Sequence, residues 1–121
     1  MARFNKVWQA IETEILRNKA YLQPGYGAAD LAAACDIDIR DVSVVVRVRR
    51  ACNFATFLQQ LRVRSACQML LHKDNAELSC EQVGRKCGFA SRQSMHNAFV
   101  RQLGMTPQED RTKNNNNKDE N

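Results

Sequence analysis

Four hydrogen-bonding side chains follow Ser91, between a glycine turn and a Gly-Met-Thr-Pro stop. They are Arg92, Gln93, His96 and Asn97, which we expect on the exposed face of a helix capped by Ser91. Arginine can donate two hydrogen bonds to guanine O6 and N7, and glutamine or asparagine can pair with adenine N6 and N7. These residue types at the start of a helix predict that base edges are read in a DNA major groove. The alternative is a solvated helix face.

A second candidate surface lies upstream, where arginine is concentrated. Residues 40–64 carry six arginines against one acidic residue, and the whole chain of 121 residues has a net charge of +5. Arginine pairs with phosphate in bidentate fashion, so this segment favours a polyanionic partner. We expect Arg40, Ser43 and Val44 to face the bases, where Arg40 suits a phosphate equally well and Val44 offers an apolar surface to a thymine methyl group. Phosphate contacts are expected from Arg47, Arg49, Arg50 and Arg101, although Arg47 suits a base equally well. For the two arginines at the end of this helix, the alternative is a favourable interaction with the helix dipole.

The apolar residues recur at three- and four-residue spacing, which predicts an all-α fold. Helices are expected over residues 5–18, 28–35, 39–50, 54–73, 79–87 and 91–104. Cap residues stand at the start of four of them: Asp38, Asn53, Ser79 and Ser91. The segment 39–50 is rich in valine and could be a strand, but its cap and its spacing favour a helix.

A short helix, a turn and a second helix occur twice, at residues 28–50 and 80–102, which predicts two helix-turn-helix units. The helix between them has about 20 residues and is about 30 Å long, close to the ~34 Å repeat of DNA. We therefore expect two subdomains joined by a long linker helix. The predicted divisions are an amino-terminal helix (1–20), a first helix-turn-helix subdomain (21–52), a linker helix (53–73), a second helix-turn-helix subdomain (74–111) and a disordered polar tail (112–121).

Apolar side chains in these segments are expected to form the core. Phe89, Phe99 and Leu103 are core candidates, and Trp8 and Tyr21 are expected to pack the amino-terminal helix against the first unit.

Several classes of protein and site are disfavoured by composition. No apolar run approaches the roughly 18 residues that span a bilayer, so we expect no membrane contact by this segment. The five cysteines are widely spaced and lack the spacing of a zinc site, so no metal or cofactor is expected. We expect Cys35, Cys52 and Cys67 to be buried, reduced thiols, which suits a cytoplasmic protein.

The second half of the chain carries a series of residues at fixed spacing, opened by a Gly-Phe turn. The series is Gly88, Phe89, Ser91, Met95, Phe99, Gly104, Thr106, Pro107 and Arg111, and the predicted linker helix adds Arg62, Ala66, Leu70 and Leu71. On these residues the chain resembles the DNA-binding domain of the AraC/XylS family of bacterial transcription regulators, over about residues 20 to 111. The family usually has phenylalanine at Met95, an aromatic residue at Asp110 and often arginine at Val44.

The resemblance implies a homeodomain-like fold and a sequence-specific regulator of transcription that reads two successive major-groove segments of double-stranded DNA. It implies that the protein is not an enzyme, that Arg62 braces the two subdomains and that RNA polymerase is a partner. Two arrangements stay open: a freestanding regulator, or an output domain that a sensor domain precedes in a longer parent chain. Two alternatives stay open: a helical protein-interaction module that has lost DNA binding, and a thiol protein that takes alkyl groups from DNA. The thiol protein needs an activated thiolate, and no cysteine has a histidine or metal-type neighbour in the sequence.

Overall fold

The computed structural model describes residues 2–119, and the secondary structure in this range is all helical, as predicted. Its α-helices are α1 (Ala2–Ile11), α2 (Ala28–Cys35), α3 (Ile39–Arg50), α4 (Phe54–Leu71), α5 (Cys80–Lys86), α6 (Arg92–Leu103) and α7 (Pro107–Asp119). A π-helical segment, Glu12–Arg17, continues α1, and 3-10 turns lie at Ala20–Leu22 and Lys73–Asn75. Residue 1 of the predicted amino-terminal helix and residues 120 and 121 of the predicted tail lie outside the described residues. None of the helices described is both long enough and apolar enough to cross a bilayer.

All four predicted cap residues begin a helix in the structure. The side chains of Asp38, Asn53, Ser79 and Ser91 each accept a hydrogen bond from a backbone N–H in the first turn, at 2.8 to 3.0 Å. Each bond satisfies a donor that the helix start would otherwise leave unpaired. The valine-rich segment is therefore helical, because Asp38 starts α3 and its valines at helical spacing fall on one buried face.

The linker helix α4 contributes to two hydrophobic cores. Its first half supplies Phe54, Phe57 and Leu58 to the first core, which α1, α2 and α3 complete. Its second half supplies Val63, Ala66 and Leu70 to the second core, which includes residues of α5 and α6. The partners in the first core are Val7, Ile11, Ile15, Tyr21, Leu31, Val42, Val45 and Val46, and those in the second are Val83, Cys87, Phe89, Met95, Ala98 and Phe99. Because α4 is part of both cores, it is an integral element of each subdomain.

A buried arginine ties the middle of α4 to the segment that precedes α2. Arg62 is 8% exposed, and its Nε donates to the Tyr21 carbonyl oxygen at 2.8 Å. Its Nη1 donates to Gln59 Oε1 at 3.0 Å, and longer contacts of 3.5 Å reach the carbonyl oxygens of Gln23 and Tyr26. Burial lowers the pKa of this guanidinium from its usual value. These bonds hold α4 against the first subdomain, and the expected bracing of both subdomains by Arg62 stays a prediction.

The turn before α6 packs against Tyr21 and Arg62. Gly88 has φ +98°, and a Cβ added there would lie 2.1 Å from the Tyr21 carbonyl oxygen and 2.9 Å from Arg62 Nε. Only glycine fits such a left-handed position beside a neighbouring backbone. The turn of the second unit therefore contacts the first subdomain directly.

The burial of some residues differs from the predictions. Phe89 and Phe99 are buried as expected, but Leu103 is 41% exposed because it lines an open cleft between α6 and the start of α4. Cys35, Cys52 and Cys67 are free thiols that are only partly buried, whereas Cys87 is fully buried. Trp8 and Tyr21 pack with the first core, as expected.

The predicted disordered tail differs from the structure, because α7 continues to Asp119. Thr106 and Glu109 form a reciprocal cap, with the Thr106 N–H donating to the Glu109 carboxylate at 2.9 Å and the Glu109 N–H donating to the Thr106 hydroxyl at 3.1 Å. Pro107 takes the first helical position, which suits its fixed φ. The helix packs against α4, and the buried residues described in it, Pro107 and Asp110, lie in its first turn, so these contacts account for the beginning of α7.

Candidate nucleic-acid interface

The second helices of the two units, α3 and α6, repeat one design. Each has 12 residues and begins at a capping side chain, Asp38 or Ser91. Each ends at a residue in the left-handed region, Ala51 or Gly104. The buried residues occupy equivalent positions after the cap: Val42, Val45 and Val46 in α3, and Met95, Ala98 and Phe99 in α6. The opposite face of each helix is consequently turned to solvent in the same register.

The exposed face of α6 carries all four of its predicted base-contacting residues. The side chains of Arg92, Gln93, His96 and Asn97 are exposed, and Gln93 Nε2 donates to Asn97 Oδ1 at 2.8 Å. The carbonyl oxygen of Gln93 and the amide nitrogen of Asn97 take no part in that bond. The pair therefore presents one acceptor and one donor to a base edge, the two groups that adenine requires. Arg101, one turn further on, is also exposed.

The exposed face of α3 carries Arg40, Ser43, Val44 and Arg47. Arg40 is held by the cap residue of its own helix, because its Nε and Nη2 donate to the Asp38 carboxylate at 3.2 and 2.8 Å. These bonds and the backbone N–H of Arg40 lower the pKa of Asp38 to about 2. The Nη1 of Arg40 takes no part in these two bonds.

Arg49 and Arg50, predicted to contact phosphate, stack on aromatic rings. The Cζ of Arg49 lies 5.7 Å from the Phe4 ring centre and 5.1 Å from that of Trp8. The Cζ of Arg50 lies 5.5 Å from the Trp8 ring centre and 5.6 Å from that of Phe57. Stacking on a ring face leaves the edge of a guanidinium able to donate hydrogen bonds. The rings therefore hold both arginines at the end of α3.

Two features of this surface are absent from the sequence predictions. Arg3 Nε lies 2.6 Å from the Asp41 carboxylate, so α1 neutralises an acidic side chain of the α3 surface. Val48 is 67% exposed one turn after Val44. The ion pair joins residues 38 positions apart, and no local pattern indicates it. The spacing of Val48 from Val44 does place the two valines on one side of a helix.

Three of the cysteines, Cys35, Cys67 and Cys87, lie in environments that disfavour the thiolate. Burial raises the pKa of the Cys67 and Cys87 thiols to about 11, and the Asp110 carboxylate beside Cys67 adds to the effect there. Burial also raises the pKa of Cys35. A raised pKa lowers the fraction of thiolate, which is the nucleophile, so these environments disfavour alkyl transfer. No group of three or more His, Cys, Asp or Glu side chains in the described part of the chain could hold a metal ion.

Comparisons with known proteins agree with this geometry. The sequence profile of the helix-turn-helix domain family matches residues 31–113, and no curated protein sequence matches the chain. Among solved structures, the chain is similar to the C-terminal domain of AraT, a response regulator from Geobacillus stearothermophilus, with a TM-score of 0.75 and 18% identity over 89% of this chain and 84% of that one. It is also similar to a transcriptional regulator with an AraC-type DNA-binding domain from Chromobacterium violaceum, with a TM-score of 0.70 and 18% identity over 93% and 92% of the two chains.

Proposed function

The chain belongs to the AraC-type helix-turn-helix family of DNA-binding transcription regulators, and from this premise we propose that it reads double-stranded DNA with α3 and α6 in two successive major-groove segments. The observation that carries the proposal is the repeat of α3 and α6, each capped, buried on one face and exposed on the other in the same register. A helix with such a free face is what a major groove admits.

The two helices have different chemistry for this task. In the proposed complex the base-reading side chains of α6 are Arg92, Gln93, His96 and Asn97, and those of α3 are Arg40, Ser43 and Val44. The phosphate backbone of the DNA is contacted by four arginines: Arg47, Arg49, Arg50 and Arg101. The polar face of α6 supports hydrogen-bonded readout, and the arginines of α3 add the positive charge that attracts a phosphate backbone.

The proposal is tested by selecting binding sites from random duplex DNA. We expect two short preferred boxes about 10 base pairs apart, one for each helix. On the selected duplex, Arg92→Ala should weaken binding by about 1–3 kcal/mol and relax the preference at one base position. Arg47→Ala should weaken binding to the selected and a scrambled duplex by equal factors, as a phosphate contact does.

A matched control is Arg17→Ala, which removes an exposed arginine of the π-helical segment outside both predicted surfaces. Its affinity for both duplexes should stay within twofold of the parent chain. If the loss from Arg92→Ala is uniform and the loss from Arg47→Ala depends on base sequence, the reading and positioning roles have been assigned to the wrong helices.

One observation favours a second candidate function, a protein-interaction module. Three large apolar side chains of α3 are exposed: Ile39, Val44 and Val48. If the chain is a protein-interaction module, its DNA affinity should be unaffected when both Arg92 and Arg101 are replaced by alanine. Contact with RNA polymerase and attachment to a sensor domain in a longer chain are proposals that follow from the family alone.

A further inference from the structure

The exposed face of α3 presents two valines where α6 presents polar groups. Val44 is 58% exposed and Val48 67% exposed, one helical turn apart. The core-facing side of α3 is already occupied by Val42, Val45 and Val46, so the two exposed valines add little to the packing. Valine also has a lower helix propensity than most residues, so the fold does not explain these two side chains.

Basic side chains surround the exposed valines. Arg40 precedes Val44 by one turn and Arg47 follows it by three residues, and both are exposed. Arg40 is paired with the Asp38 carboxylate at 2.8 Å, so the uncompensated positive charge here is that of Arg47. The nearby carboxylate of Asp41 is neutralised by Arg3 at 2.6 Å. Val44 also borders a shallow depression with Arg3, Phe4, Asp41 and Val45. The valines thus form a small apolar ridge on a surface that suits a polyanion.

We propose that this ridge recognises the 5-methyl groups of thymine, so that the first unit reads pyrimidine methyl groups and the second reads hydrogen-bonding base edges. Thymine is the one DNA base that carries a methyl group in the major groove, and apolar side chains are its natural contacts. Val44 is the principal contact, and Val48 extends the ridge along the groove. This inference rests on the proposed function, since it names what α3 reads at that site.

A protein partner fits the ridge less well. Two valines flanked by arginines offer little apolar area beside the roughly 800 Å² that each partner of a stable interface buries. The positive charge around the ridge instead matches the phosphates that border a major groove. A protein partner is therefore one of the outcomes that the test below separates.

The test replaces thymine by deoxyuridine, which removes the methyl group and keeps every hydrogen-bonding atom of the base pair. In the box selected by the first unit, each thymine is replaced in turn, and the affinity of the full chain is measured for each duplex. We expect a loss of about two- to fourfold for each methyl group that the valines cover. With Val44→Ala, the affinity for the thymine duplex should fall and the ratio between thymine and deoxyuridine duplexes should approach one.

Val100→Ala is the matched control, because Val100 is an exposed valine on α6. It should leave the thymine-to-deoxyuridine ratio in the first box unchanged. Equal affinities for the two duplexes, or a first box without thymine, would overturn the inference while a selected site still supports the proposed function. A Val44→Ala variant with unchanged affinity on every duplex would also overturn it and would point to a protein partner. If no duplex is preferred, the proposed function fails and the inference fails with it.

Discussion

A single carboxylate both starts α3 and orients its first arginine. Asp38 accepts from the backbone N–H of Arg40 at 2.8 Å and from two nitrogens of the Arg40 guanidinium. The side-chain bonds contribute most to lowering the pKa of Asp38 from 3.8 to about 2, and the backbone bond adds to them. The charged form of Asp38 is therefore favoured by the folded chain over the unfolded one, and stability is linked to its ionisation.

We predict that Asp38→Asn flattens the acid end of the stability profile. Because the pKa is lowered by folding, the contribution of Asp38 is complete above about pH 4 and is lost as the pH falls towards 2. Asparagine keeps a good helix cap but does not titrate in this range. Urea unfolding at steps between pH 5 and pH 2 should show a smaller fall in the free energy of unfolding for the variant than for the parent chain.

Arg40→Ala separates the two causes of this effect. It removes the guanidinium and keeps the bond from the backbone N–H, so its stability profile should lie between those of the parent chain and of Asp38→Asn. Parallel profiles for all three proteins would show that Asp38 has the same pKa in the folded and unfolded chains.

At the scale of helices and turns, features set by neighbouring residues were predicted from the sequence, and features set by tertiary packing were not. The four helix starts were predicted because a cap residue and the N–H that it accepts lie within three residues of each other. The continuation of α7 to Asp119 was not predicted, because the tail sequence is polar and carries no apolar stripe. The stacking of Arg49 on Phe4 and Trp8 was also beyond prediction, because the amphipathic pattern of α1 shows only that its aromatic residues pack somewhere.

In the candidate site too, the features set by neighbouring residues could be predicted from the sequence, and the contacts between distant helices could not. Residue type and helical spacing placed Arg92 and Asn97 on an exposed helix face, and the structure has both there. The engagement of Arg40 by Asp38 was open to prediction from their separation of two residues. The neutralisation of Asp41 by Arg3 was not, since only the folded chain brings α1 beside α3.

The turn between α5 and α6 should be intolerant of any side chain at Gly88. We predict that Gly88→Ala lowers the free energy of unfolding by about 3 kcal/mol or more. The added methyl group would meet the Tyr21 carbonyl oxygen at 2.1 Å, and the positive φ is itself unfavourable for alanine by about 1–2 kcal/mol. Urea unfolding at neutral pH measures the change.

Gly104→Ala is the comparison that isolates the contact. Gly104 has φ +70° and nothing within 4 Å of an added Cβ, so alanine there should cost only the backbone term of about 1–2 kcal/mol. Equal losses in the free energy of unfolding for the two variants would mean that the contact between Gly88 and Tyr21 adjusts to a methyl group. That contact would then not fix the turn against the first subdomain.

The molecule as a whole is basic, and in the proposed complex part of its positive charge is neutralised by DNA phosphates. The chain has a net charge of +5, and four arginines are assigned to phosphates in the proposed complex, with Arg40 also suited to one. If about five phosphates are neutralised, the logarithm of the affinity should fall against the logarithm of the salt concentration with a slope of about −4 to −5. Titrations at several salt concentrations give this slope.

Arg101→Ala should make the slope shallower by about one, on the selected and on a scrambled duplex alike. A slope near zero for the parent chain would contradict nucleic-acid binding. An unchanged slope for Arg101→Ala would remove that arginine from the backbone contacts and leave the rest of the proposal in place.

The shared helix α4, with Arg62 and Gly88 at its middle, has a consequence for the DNA itself. A helix of 18 residues is about 27 Å long, shorter than the ~34 Å between successive major grooves on one side of a straight duplex. If the length of α4 sets the spacing between α3 and α6, a duplex that contacts both helices in successive major grooves curves towards the protein. The base pairs between the two boxes would then be selected by their stiffness, with easily kinked TA and CA steps favoured and rigid A-tracts disfavoured, although no side chain touches them.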